Sequence, residues 1–75
     1  MKINAVKKIV TELSKPVYCC LNVYLTMKNG QSITVQLSND EFMEVDEENE
    51  ILQITGSDDF GTRWIDASEI ASIEF

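Results

Sequence analysis

From Val17 to Met27 every second residue is apolar (Val17, Cys19, Leu21, Val23, Leu25, Met27), and Tyr18, Cys20, Asn22, Tyr24 and Thr26 alternate with them up to Lys28. A period of two belongs to a strand with one buried face, so this stretch restricts the fold more than any other. After Gly30 the alternation resumes, with Ile33, Val35 and Leu37 set against Ser32, Thr34 and Gln36. Both apolar sets must share one face. A two-residue Asn29-Gly30 loop sets Ile33 opposite Thr26 and violates that requirement. A three-residue loop, Lys28-Asn29-Gly30, sets Leu25 opposite Ile33 and Val23 opposite Val35. The expectation is therefore a type I turn with Gly30 left-handed and a G1 bulge, rather than the type I′ turn that Asn-Gly usually announces.

Ahead of this hairpin, Ile3, Val6, Ile9, Val10 and Leu13 recur at helical spacing, and Pro16 ends the pattern by disfavouring helix at Lys15. Beyond it, Ser38 and Glu41 have the spacing of a capping box, which predicts helical turns over Asn39 to Val45 that tuck Phe42, Met43 or Val45 under the sheet. Three more strands are expected at Ile51 to Thr55, Thr62 to Asp66 and Ala71 to Phe75. Gly56 to Gly61 forms a turn around Asp58 and Asp59, and residues 67–70 form one tight turn, 3₁₀ in character.

The expected fold is α+β, mainly β. A short N-terminal helix precedes a small five-stranded antiparallel, strongly bent sheet that resembles SH3-like or Sm-like barrels in its element order. Residues 1–75 make one domain, with the amphipathic helix in 1–15 and the β-rich body in 17–75. A chain this short buries only roughly 60% of the surface that its unfolded form exposes, so every apolar side chain counts. The helix is accordingly expected to pack across an open end of the barrel.

Charge is segregated. Up to Lys28 there are five lysines and one acid, and thereafter one arginine, Arg63, and twelve acids, for a net charge of −7. Asp40, Glu41, Glu44, Asp46, Glu47, Glu48 and Glu50 crowd into one stretch without a basic neighbour in sequence, which predicts an attraction for cationic partners. Asp46, Glu48 and Glu50 alternate as calcium ligands do, but Ile51 stands where an EF-hand loop needs glycine and Ser57 where it needs glutamate, so no metal site is assigned. Tyr18, Tyr24, Phe60 and Trp64 include the aromatics of a nucleic-acid platform. The net charge opposes backbone binding, and these side chains are expected instead to build a second small core beneath the helix, anchored by Trp64.

Histidine is absent, the adjacent Cys19 and Cys20 have no base to activate them, and no glycine-rich phosphate loop exists. Asp58 with Asp59 and Asp66 with Glu69 are the remaining acid pairs, in a domain with little room for an enclosed pocket. The expectation is a non-enzymatic protein with no cofactor. The cysteines should point to opposite faces of a strand, one in the core and one half exposed, which suits a reducing compartment. No apolar run approaches a membrane span, and the N-terminus lacks an uninterrupted signal-peptide core, so the reading is cytoplasmic and without a membrane partner.

These observations together describe a protein that binds a basic protein surface, not nucleic acid itself, through Asp40, Glu41, Glu44, Asp46, Glu47, Glu48, Glu50, Asp58 and Asp59. Phe42, Met43 and Phe60 serve as apolar anchors among the acids. In size and charge balance the chain is similar to small acidic inhibitors made by bacteriophages, such as anti-CRISPR proteins and antirestriction DNA mimics. That resemblance implies a nucleic-acid-binding protein as partner and transfers no residues. The competing expectation is an assembly module, in which the basic helix of one copy meets the acidic half of the next to form a homo-oligomer.

Overall fold

Val6, Val10 and Leu13 recur every three or four residues, and they are the buried stripe of α1, Ile3–Leu13, in a computed structural model that describes residues 1–56 and 61–75. Ser14 closes the helix, its Oγ donating to the Val10 carbonyl at 2.9 Å. At the other end the Met1 ammonium donates to the carbonyls of Ala67 (2.8 Å) and Ile70 (2.6 Å), tying the start of the chain to a segment near its other end. The helix packs on the stretch Phe42–Asp46 and on the 3₁₀ turn Ala67–Glu69.

The hairpin has the expected register. β1, Asn22–Met27, runs antiparallel to β2, Ser32–Gln36, with Leu25 opposite Ile33 and Val23 opposite Val35. Gly30 donates to the Met27 carbonyl at 2.9 Å, Met27 donates to the Gln31 carbonyl at 2.8 Å, and Gly30 has φ +88°. Those are the bonds of a three-residue loop, and only glycine takes that backbone angle without strain. Val23, Leu25 and Val35 are fully buried on the shared face.

Local structure departs from expectation at the first strand, at the cysteines and at Ser38–Glu41. The first strand does not begin at Val17. Pro16–Tyr18 is a 3₁₀ turn, its backbone angle preset by proline, and Val17 is 77% exposed. Tyr18 is drawn off the strand because its hydroxyl donates to Glu12 Oε1 (3.1 Å) and its ring meets Phe75 edge-on at 5.6 Å. Cys19 and Cys20 are consequently both exposed instead of lying on opposite faces of a sheet. The Ser38–Glu41 capping box does not form either. Glu41 Oε1 accepts from the backbone N–H of Gln36 at 2.8 Å, a 3₁₀ turn covers Leu37–Asn39, and Asp40 reverses the chain with φ +60°. Phe42–Asp46 then runs as a strand, β3, because its apolar residues alternate with acids.

β4, Ile51–Thr55, and β5, Thr62–Asp66, complete a second sheet in the order β3-β4-β5, while β6, Ile70–Glu74, joins the first sheet in the order β2-β1-β6. The result is mainly β, as expected, with six strands among the described residues, in two three-stranded antiparallel sheets in place of five in one. The ladder does not close into an SH3-like or Sm-like barrel, since the 3₁₀ turns at 37–39 and 67–69 interrupt it where the chain passes between sheets. Between the sheets and α1 lies one core, which includes Met43, Leu52, Ile54, Ala67 and Ile70 and holds no buried polar side chain among the described residues. Among those residues no helix is long and apolar enough to cross a membrane.

Candidate functional site

The alternation of β3 divides its side chains. Met43 and Val45 turn inward, and Phe42, Glu44 and Asp46 stand on the opposite, exposed face. Directly paired residues share a face, so the ladder carries this surface across the sheet: Phe42 pairs with Thr55 and Thr55 with Thr62, Glu44 with Gln53 and Gln53 with Trp64, Asp46 with Ile51 and Ile51 with Asp66. The outer face is therefore a grid with Trp64, 67% exposed, at one margin and Phe42, 45% exposed, at the other. Strand spacing places Glu44 about 10 Å from Trp64 across Gln53, and Phe42 about 12 Å from Trp64 on the diagonal.

Trp64 is thus not the anchor of a second core. Ile65 turns toward the interior in its stead, being partly buried against the core while Trp64 faces solvent. Tyr18 and Tyr24 do not share a strand side, because Tyr18 belongs to the 3₁₀ turn.

The acids that the sequence groups together have different settings. Asp46 closes the β3–β4 turn. Its carboxylate accepts from Asn49 Nδ2 (2.8 Å) and from the Asn49 N–H (3.2 Å), and these bonds, the side-chain one foremost, hold its pKa below the usual range. Asp66 is held low in the same way by the Ser68 hydroxyl (2.8 Å) and then the Ser68 N–H (2.9 Å), with smaller help from the N-terminal ammonium and Lys28. These bonds favour the charged form of Asp46 and Asp66. Glu47 is turned to the helix, its Oε1 2.6 Å from Lys7 Nζ. Glu41 is spent on the Gln36 N–H, and Asp40 lies in the reversal between sheets.

Glu48 is exposed in the β3–β4 turn, and Glu50 ends that turn with φ +54°, its carbonyl accepting from the Ala67 N–H at 3.0 Å. Glu50 and Asp66 also border a cleft of about 380 Å³ with Lys2 and Lys28, so that end of the face has mixed charge. Asp58, Asp59 and Phe60 lie outside the described residues.

Of the expected surface, the structure assembles Phe42, Glu44 and Asp46 on one face and leaves Glu48 beside it. It adds Trp64, Gln53 and Asp66, which sequence reasoning missed. The missed signal is the period-two pattern of residues 42–46, which matches an exposed acidic row as well as a buried apolar one. Among the described residues no group of three histidine, cysteine, aspartate or glutamate side chains converges as a metal-ligand set. Comparison with protein-family models, with curated proteins and with solved structures finds no match to this chain.

Proposed function

We propose that this chain is a non-enzymatic, cytoplasmic binding protein that engages a basic protein surface through the outer face of β3-β4-β5. A nucleic-acid-binding protein is the partner class this reading favours, with the acidic face occupying the groove that its nucleic acid would fill, as a small inhibitor or mimic does. One observation carries the reading: Trp64 and Phe42 are exposed on the same sheet face as Glu44, Asp46 and Asp66.

An exposed tryptophan on a rigid sheet is the kind of side chain around which binding hot spots form, and it also accepts a cation over its ring. Carboxylates around it select a basic partner and steer its approach. The net charge of −7 adds a long-range attraction that salt screens within about 10 Å at 0.1 M.

The test is capture from lysate, identification of the retained protein, and titration of the purified pair over a range of salt. Trp64→Ala is expected to weaken binding at least tenfold, and Glu44→Gln with Asp46→Asn to lower the salt dependence. Affinity indifferent to all three substitutions overturns this surface. A chain whose light-scattering mass exceeds the monomer at low salt and falls with added salt supports the assembly module in its place.

A further inference from the structure

The 3₁₀ turn Pro16–Tyr18 holds two neighbouring thiols against one another. Tyr18 donates to the Lys15 carbonyl (3.0 Å), Cys19 to that of Pro16 (3.1 Å) and Leu21 to that of Tyr18 (3.2 Å), so the backbone on both sides of the pair is pinned. The Tyr18 side chain is fixed at its hydroxyl by Glu12 and along its edge by Phe75. Adjacent side chains on a strand diverge to opposite faces, but here the helical backbone of Cys19 lets them converge. Their Sγ atoms lie 3.4 Å apart and both residues are exposed.

We propose that Cys19 and Cys20 form a binding site for a soft, thiophilic ion or metalloid that takes two sulfur ligands on one atom, trivalent arsenic being the representative. Trivalent arsenic is pyramidal, with a lone pair that closes its bond angles below the tetrahedral value, so two bonds to sulfur, about 2.3 Å each as in zinc–thiolate sites, ask for sulfurs about 3.4–3.5 Å apart. The observed 3.4 Å separation fits that bite. Soft thiolate ligands select soft centres over hard ones. Once one sulfur is bound the second bond is intramolecular and forms at high effective concentration. No third cysteine, aspartate or glutamate among the described residues completes a cage, so the remaining valence stays with the ligand's own substituent.

Phenylarsine oxide is the probe. Two arsenic–sulfur bonds form, the arsenic–oxygen bond breaks, and the two thiol protons leave with the oxygen as water, with no change in oxidation state. The expected result is one phenylarsenic group per chain by intact mass, retained in excess monothiol and released by a dithiol. Cys19→Ser and Cys20→Ser, both at exposed positions, are each expected to lose that retention while melting as the wild type does.

Adjacent cysteines in an unfolded chain also bind arsenic, so the melting temperature separates a preformed site from mere adjacency. Binding that favours the folded chain raises Tm, and binding that favours the unfolded chain lowers it. A raised Tm supports the site. An unchanged or lowered Tm, or release to monothiol from the wild type as readily as from the single variants, overturns it.

Discussion

Lys7 Nζ lies 2.6 Å from Glu47 Oε1, and this ion pair clasps α1 to the turn between β3 and β4 with both side chains about half exposed. An exposed pair of this kind is worth ~0.2–1 kcal/mol and is screened by salt. Glu47→Gln is therefore expected to lower the unfolding free energy by less than about 1 kcal/mol in low-salt urea titrations, and by nothing measurable at high salt. Because Lys7 already answers the charge of Glu47, that substitution should weaken partner binding less than Glu44→Gln does. The opposite order would relocate the contact from the sheet face to the turn.

Trp64 is the one tryptophan of the chain and is 67% exposed. Trp64→Ala is expected to change stability by no more than about 0.5 kcal/mol, as surface substitutions do. In the free wild type, iodide should quench its fluorescence nearly as well as it quenches free indole. In the complex the ring should be protected and its emission shifted to the blue. A ring that stays fully quenchable in the complex is not at the interface.

Leu52 of β4 and Ile70 of β6 are 0% and 1% exposed and belong to the shared core. Leu52→Ala is expected to cost about 2–5 kcal/mol and Ile70→Val about 0.5–1.5 kcal/mol. A core of this size rarely supplies more than ~3–5 kcal/mol in total, so the first variant should be largely unfolded and the second folded but weaker in urea. Circular dichroism with a denaturant titration of each reads the difference.

Stability should fall at both ends of the pH scale. Asp46 and Asp66 are held low by Asn49 and Ser68, and Glu12 is held low by Lys15 first and Tyr18 second. With folded values below unfolded ones, their contribution is complete above the ordinary carboxylate range near ~4 and is lost as pH falls through the folded values. Tyr18 and Lys15 are both raised, chiefly by the hydrogen bond to Glu12. Their contribution is complete below ordinary values near ~10 and is lost as pH rises through the folded ones. Asp46→Asn with Asp66→Asn should flatten the acid limb of a Tm-against-pH curve, and Tyr18→Phe the alkaline limb. An acid limb unchanged in the double variant would move its origin to other carboxylates.

The hairpin was legible because its two strands constrain each other: Leu25 and Ile33 share a face under only one loop length, and Gly30 meets the backbone angle that loop needs. Val17, Cys19 and Leu21 fit the same alternation, but Pro16 precedes them and Tyr18 sits among them, held by Glu12 across the helix end and by Phe75 from far along the chain, contacts that local pattern does not show. At Ser38 and Glu41 two local signals competed. The alternation of Phe42 to Asp46 won because Met43 gains burial on β4, whereas a capping bond at Ser38 gains little. The candidate face was half legible. Its acids stand out in composition, but Trp64 comes alongside Glu44 only through β4, and that pairing is a property of the sheet.

β4 pairs with one side of β3, and among the described residues no strand pairs with the other. Two copies meeting there antiparallel about Glu44 would set Glu44 against Glu44 and Phe42 against Asp46, and like charges directly opposite one another destabilise a ladder. A strand margin without a strand partner is ordinarily where proteins stick to themselves. In this chain the acid at the middle of that margin makes a twin a poor match.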